Sequence, residues 1–296
     1  MNAPKDRRRT ARILVMAGLI ALILSALLAS AVFAEEPIRG RWFLELPVVG
    51  GEVELTLNRR SGKHGHWNSS FDLPVAQLKG FSPPSSGADV PVHFELARDA
   101  GTLVFDGHAN ATGGSGRFLF TADRGFAAEL AGKGYGSLPE EKLYAMAVHD
   151  VSRAFQRELA ELGYARLSID DLIAMRIHGA TPEFIRAMKS LGYERLSADD
   201  LVSMRIHGAT PEFIRELMAL GYTEVPADDL VSMRIHGVTA DFIRQLAELG
   251  YRGVPVEKLV SMRIHNVTID YVRRIKARDP EVSPDELVNK RIHSHR

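Results

Sequence analysis

The chain has 296 residues, and its hydrophobic content of 45% and charged content of 25% are typical of a globular protein. Its formal net charge is zero, but residues 1–34 hold five basic residues and one acidic residue, so residues 35–296 carry 32 basic and 36 acidic residues. A slightly acidic chain argues against nucleic-acid binding, which requires a basic surface. Because the sequence contains no cysteine, disulfide bonds, thiolate metal sites and cysteine catalysis are excluded.

Residues 1–34 have the pattern of a secretion signal. A basic stretch precedes the apolar residues 13–28, and residues 31–34 place small side chains where a signal peptidase would cleave. An uncleaved membrane anchor is the alternative, since residues 13–34 are long enough to span a bilayer and would be the one membrane contact. Both interpretations place residues 35–296 outside the cytoplasm, and the lack of cysteine favours the bacterial periplasm.

The pattern of residues 36–130 predicts a small antiparallel β domain. Short runs rich in β-branched and aromatic residues alternate with turns rich in Gly, Ser and Asp. The six runs are residues 41–46, 52–57, 67–73, 92–96, 103–105 and 117–120. Such a meander closes as a β sandwich or as an open barrel.

Two features of this domain raise the possibility of ligand binding. Gly40-Arg41-Trp42 resembles the Gly-x-Trp motif of lipocalins, which implies a cup lined by Trp42, Phe94 and Phe118, whereas the other interpretation makes Trp42 an ordinary core residue. His64 and His66 could share one strand face and bind a metal, but their surroundings favour an exposed loop. We therefore predict no metal site and no cofactor.

The second half of the chain, residues 135–296, is built from a repeat of 29 residues. Met-Arg-Ile-His occurs four times, and Leu-Gly-Tyr recurs with the same step. A period of this size is typical of a stacked array of one supersecondary unit. The predicted units are residues 135–163, 164–192, 193–221, 222–250 and 251–279, followed by a C-terminal cap at residues 280–296.

Each unit predicts two short helices, as residues 193–221 illustrate. Ser197 caps the first helix with Asp200 as its capping-box partner, Gly208 ends it, and Thr210 caps the second helix. Helices this short need stacking to be stable. In this interpretation Met and Ile of the repeated motif face the stack, and His closes the last turn. The predicted fold class is α+β, with an antiparallel β domain followed by an α-solenoid of helical hairpins.

Two repeated polar columns are candidates for function. The histidine column is expected to cap helix ends, with a pH-responsive role as the alternative, and consists of His149, His178, His207, His236 and His265. The arginines of the motif either pair with acidic residues inside the array or form a ridge that engages an acidic protein partner. This candidate partner-binding ridge consists of Arg176, Arg205, Arg234 and Arg263.

The wording Asp-Asp-Leu-Val-Ser-Met-Arg-Ile-His-Gly-x-Thr-Pro-Glu-Phe-Ile-Arg-Glu-Leu resembles repeats of uncharacterised exported bacterial proteins. Similar repeats are appended to membrane metallopeptidase sensors of the BlaR type. The zinc motif and the transmembrane helices of that peptidase are missing from the sequence, so the resemblance implies association with envelope signalling and no peptidase activity. His-Glu-x-x-His, Gly-x-Ser-x-Gly and P-loop signatures are also missing. We expect a non-enzymatic periplasmic scaffold for a protein partner, with a small-ligand carrier as the alternative.

Overall fold

A computed structural model describes residues 37–293 except residues 47, 49 and 62–64. The predicted signal or anchor lies outside the described residues, as do His64 and the side chain of His66. The chain divides into two compact units, a β unit that ends at Thr121 and a helical unit that comprises Ala122 onward together with Arg98–Gly101. Among the helices of the described part, none is both long enough and apolar enough to cross a bilayer.

The β unit is one antiparallel sheet curved into a half-barrel. Its strands are β1 (Arg39–Glu45), β2 (Glu52–Ser61), β3 (Gly65–Pro74), β4 (Leu78–Lys79), β5 (Val90–Arg98), β6 (Gly101–Asn110) and β7 (Gly113–Ala122). The strand order is β3-β2-β1-β7-β6-β5-β4, so that β1 pairs with β7 as well as with β2. The predicted open barrel is confirmed, and the two-residue strand β4 adds to the six predicted strands.

Aromatic rings fill the interior of this sheet. Trp42 is fully buried, its ring centroid lies 5.2 Å from that of Phe94, and Phe94 stacks on Phe105 at 4.7 Å. A Cβ added to Gly116 would lie 2.7 Å from Trp42 Nε1, so glycine makes room for the indole ring. Phe118 is also buried. The residues expected to line a ligand cup, Trp42, Phe94 and Phe118, therefore pack in the core.

Helix α1 (Arg124–Leu130) directly follows the last strand. It begins at Asp123, whose carboxylate accepts a hydrogen bond from the Phe126 backbone N–H at 2.6 Å. The predicted β range of residues 36–130 therefore extends too far, because Asp123 caps a helix where the β domain was expected to continue.

The rest of the helical unit stacks helix pairs in two layers. The first helices are α2 (Glu140–Val148), α4 (Ile169–His178), α6 (Ala198–His207), α8 (Ala227–Ile235), α10 (Val256–Ile264) and α12 (Pro284–His293). The second helices are α3 (Arg153–Glu161), α5 (Pro182–Ser190), α7 (Pro211–Ala219), α9 (Ala240–Glu248) and α11 (Ile269–Lys276). First helices contact the first helices of adjacent units, and second helices contact second helices. The α+β class with a helical C-terminal region is confirmed.

The helix boundaries follow the predicted capping residues. Ser197 and Asp200 form a complete capping box, and Thr210 accepts a hydrogen bond from the backbone N–H of Phe213. Gly208 ends α6 in the left-handed conformation with φ of 73°. Asn266 occupies an equivalent position with φ of 53°, and asparagine tolerates this region better than most residues.

Candidate interaction surface

The predicted arginine ridge lies at the junctions between repeats. Each guanidinium lies over an aromatic ring of the preceding unit: Arg176 over Phe155 at 5.0 Å, Arg205 over Phe184 at 5.2 Å, Arg234 over Phe213 at 4.9 Å and Arg263 over Phe242 at 5.1 Å. Arg205 Nε also donates to the His178 carbonyl at 3.3 Å, and a Cβ on Gly179 would lie 3.0 Å from the same guanidinium. The arginines therefore hold one repeat against the next, through cation–π contacts that favour Arg over Lys.

The tyrosine of each Leu-Gly-Tyr motif forms a second link between repeats. Its hydroxyl donates to a backbone carbonyl of the following unit: Tyr164 to Leu196 at 2.7 Å, Tyr193 to Val225 at 2.7 Å, Tyr222 to Val254 at 2.8 Å and Tyr251 to Val282 at 2.6 Å. Burial raises the pKa of all four phenols. The sequence of one repeat does not reveal this hydrogen bond, because its acceptor belongs to the next repeat.

The histidine column lies at the C-terminal ends of the first helices. His178, His207 and His265 are exposed, and their side chains make no hydrogen bond within the described chain. The expected capping hydrogen bond is therefore not formed by these three histidines, although His293, outside the column, places Nδ1 2.7 Å from the Asn289 carbonyl oxygen. His149 differs because it is largely buried, and this burial, together with Arg176, lowers its pKa. Among the described residues, no group of three or more His, Cys, Asp or Glu side chains is arranged to hold a metal ion.

The isoleucine of each repeated motif faces solvent, so its predicted place in the stack was wrong. Ile177, Ile206, Ile235 and Ile264 are 50–54% exposed, and Ile292 of the last helix is 44% exposed. The methionines two positions earlier, Met175, Met204, Met233 and Met262, are fully buried. Each methionine and the isoleucine that follows it are two positions apart, which corresponds to a rotation of about 200° around a helix. The two side chains therefore cannot face the same side.

A second aliphatic row accompanies the exposed isoleucines. One helical turn earlier, each of the same helices carries a half-buried Ile or Val, namely Ile173, Val202, Val231 and Val260. Residues four apart lie on one side of a helix, so each helix presents a pair of aliphatic side chains. We call these eight residues on α4, α6, α8 and α10 the apolar face.

The second helices present a charged surface instead. On each of four consecutive helices an exposed arginine pairs with an acidic residue one turn earlier: Arg186 with Glu183 at 3.1 Å, Arg215 with Glu212 at 3.0 Å, Arg244 with Asp241 at 3.1 Å and Arg273 with Asp270 at 3.1 Å. Arg186 also reaches Glu158 of the preceding repeat at 2.9 Å. Paired charges of this kind are typical of a solvated helix surface.

The β unit carries a shallow groove on the solvent side of β1 and β7. The groove has a volume of about 900 Å³ and is lined by Arg39, Arg41, Arg117 and Asp106 among others. Next to it His93 Nδ1 lies 2.7 Å from Asp106 Oδ1, and this hydrogen bond raises the pKa of His93. The groove is open and these polar side chains are exposed, so it does not enclose a ligand as a built binding site would.

The apolar face is thus a feature that the packing of the described residues leaves unexplained. Its isoleucines lie beside arginines and methionines that have partners within the array. Known proteins offer no further guide to its role. No protein-family model, no curated protein and no solved structure matches the chain.

Proposed function

We propose that this chain is a non-enzymatic, exported interaction protein whose helical repeats bind a protein partner through the apolar face. The observation that carries the proposal is the exposed isoleucine at the same position of four successive first helices. Contiguous apolar surface on a soluble protein marks an interaction site, and repeat arrays present such surfaces over an extended length. The charged second helices supply a solvated surface that keeps the array soluble.

Covering this face supplies part of the free energy that specific binding requires. Complete burial of one isoleucine contributes about 1.5–3 kcal/mol, and a side chain that is half-exposed contributes about half of that. Four such side chains then contribute about 3–6 kcal/mol before the entropy lost on association is subtracted. The second aliphatic row adds to this value, because its members are only half-buried.

The proposal of a non-enzymatic role is supported by the partners of the repeated polar residues. Ser197 and Asp200 bond to each other as a helix cap, Tyr193 bonds to a backbone carbonyl, and Arg205 lies over Phe184. These contacts account for the recurrence of Ser, Asp, Tyr and Arg in the repeats through packing and capping. The residues of the apolar face itself are aliphatic and supply no acid, base or nucleophile.

Export to the periplasm is the second part of the proposal, and it depends on the sequence of residues 1–34. It is tested by fractionating cells that naturally produce the chain and measuring the N-terminal mass of the isolated protein. A mature chain beginning at Glu35 supports a cleaved signal, and an intact chain in the membrane fraction supports an anchor. A soluble, intact chain in the cytoplasmic fraction refutes export.

Site-specific photo-crosslinking tests the interaction directly. Benzoylphenylalanine replaces Ile206 of the apolar face in one full-length variant and Glu216 on the exposed side of α7 in a matched control. We expect illumination in the producing cells to give one discrete adduct from position 206 and none from position 216. Equal labelling from both positions, or no adduct from either, refutes the apolar face as a binding surface.

A further inference from the structure

We propose that the apolar face binds the same face of a second copy of this chain, with the two repeat arrays running parallel. This inference rests on the proposed function and names its partner. It follows from how charge is distributed on the two sides of the aliphatic rows. A closed two-fold pair uses one surface twice, so that surface must be complementary to itself.

One edge of the apolar face is acidic. The second residue of each of these four first helices is Asp or Glu, namely Asp170, Asp199, Asp228 and Glu257. Lys142 pairs with Asp170, and Lys258 pairs with Asp285, so the starts of successive first helices are adjacent. Asp199 and Asp228 are exposed and form no ion pair or hydrogen bond with the described residues. These carboxylates remain available to a partner.

The opposite edge is basic. Arg205 and the equivalent arginines lie there, where each first helix ends against the helix end of the preceding repeat. The exposed imidazoles of His178, His207 and His265 follow the isoleucines at the same edge. The aliphatic rows therefore lie between a row of carboxylates and a row of guanidinium and imidazole groups.

This distribution selects one of two ways to bring two such faces together. A two-fold axis that runs along the first helices would place the acidic edge of one copy on the acidic edge of the other. A two-fold axis that runs along the array places the acidic edge on the basic edge and sets each helix opposite its own equivalent. Opposite charges attract and like charges repel across an interface, so the second arrangement is favoured.

The aliphatic rows fix the position of this axis across the helices. When the axis runs midway between the two rows, Val202 of one copy faces Ile206 of the other, and the branched side chains of the rows fill each other's gaps. The Asp199 row then faces the helix ends that carry His207. Burial of aliphatic side chains and pairing of charges thus occur in the same arrangement.

The area of the face agrees with the needs of a modest dimer. First helices spaced about 8–10 Å apart and about 15 Å long give a face of about 32–40 Å by 15 Å across α4, α6, α8 and α10. Two copies then bury about 1,000–1,200 Å² in total, which is close to the lower limit for specific, stable interfaces. We therefore expect a dimer that dissociates on dilution.

Disulfide trapping tests the arrangement, because the sequence has no cysteine and each engineered thiol is unique. Two full-length versions with different affinity tags, one with Val202→Cys and one with Ile206→Cys, are produced together and oxidised in intact cells. We expect a covalent dimer that carries both tags. The matched control is Glu216→Cys on α7, which is exposed but lies outside the apolar face, and it gives no dimer.

Other outcomes separate the competing arrangements. If Ile206→Cys couples to Ile235→Cys more efficiently than to Val202→Cys, α6 faces α8 of the other copy and the parallel arrangement is wrong. A photo-crosslink from position 206 to a different protein, without an adduct of twice the chain mass, refutes self-pairing and leaves the proposed function standing. No adduct of any kind refutes both.

A solution measurement on a surface variant is independent of crosslinking chemistry. Combining Ile206→Glu with Ile235→Glu places two charges on the apolar face without touching the buried core. We expect light scattering to show the mass falling from two chains to one, with the thermal unfolding of the dilute protein unchanged. A wild-type chain that is monomeric at high concentration overturns the proposal.

Discussion

Two residues of one repeated motif, Met204 and Ile206, allow contributions to folding to be distinguished from contributions to binding. Met204 is fully buried on α6, whereas Ile206 is 53% exposed on the same helix. We predict that Met204→Ala destabilises the helical unit by about 2–5 kcal/mol, the usual cost of truncating a buried methionine. We predict that Ile206→Ala changes stability by about 1 kcal/mol or less, because only about half of the side chain is buried and alanine favours the helix.

The measurement is thermal unfolding followed by far-ultraviolet circular dichroism, at a concentration low enough for the chain to be monomeric. A loss of about 3 kcal/mol lowers the midpoint by about 6–12 °C for a unit of this size. Ile206→Ala lowers the midpoint by no more than about 2–4 °C, a shift that corresponds to about 1 kcal/mol. Equal losses from the two variants would mean that Ile206 packs in the core, and the apolar face would not exist.

Because repeat arrays do not always unfold in one step, a local measurement is needed as well. Amide hydrogen exchange reports the opening of α6 itself. Met204→Ala is expected to accelerate exchange in α6 and in the adjacent helices α4 and α8, which contact it. Ile206→Ala is expected to accelerate exchange there much less in the monomer. Equal acceleration of exchange in α6 by Ile206→Ala and Met204→Ala would contradict the exposed position of Ile206.

Three further changes test the packing of both units. Gly116→Ala places a Cβ 2.0 Å from the Asp106 carbonyl oxygen and should cost at least about 1–3 kcal/mol in urea unfolding, whereas Gly87→Ala, with no atom within 4 Å of the added Cβ, should cost little. Tyr193→Phe leaves the Val225 carbonyl without its donor and should cost about 1 kcal/mol, and no loss in urea unfolding would show that water replaces the hydroxyl. Burial lowers the pKa of His149 in the folded chain, so the imidazole is protonated more readily in the unfolded chain. Stability should therefore fall as the pH drops below about 6.5. His149→Gln should flatten this slope in pH-dependent unfolding, and an unchanged slope would exclude His149. The raised pKa of His93 acts in the opposite sense, since its contribution is present at low pH and is lost as the pH rises above 6.5.

The features that sequence patterns predicted correctly are mostly local ones. Helix caps such as Ser197 and stops such as Gly208 depend on residues within one turn, so spacing alone identifies them. The strands of the β unit likewise follow from short runs between turns. Strand β4 was missed because it has two residues, and α1 was missed because its cap follows directly on a strand.

The candidate site could not be predicted because α6 has more than one apolar stripe. Leu201 and Met204 define one side of the helix, and Val202 and Ile206 define another. The positions of the neighbouring helices decide which stripe is buried. First helices pack against the first helices of adjacent units, and the sequence of one helix does not specify this tertiary packing. The contact of Arg205 with Phe184 was inaccessible for the same reason, since the two residues belong to different repeats.

Differences among the repeats indicate that a requirement other than folding maintains the apolar face. On the second helices, an exposed position differs between copies, with Ser190, Ala219 and Glu248 at equivalent places. On the first helices, the exposed position of the motif is Ile in all four copies. The last helix replaces the buried methionine with Lys290 and yet keeps Ile292, which is 44% exposed. A half-exposed isoleucine adds little to folding, so its recurrence where a core residue has been lost indicates a constraint from outside the array, such as a bound partner.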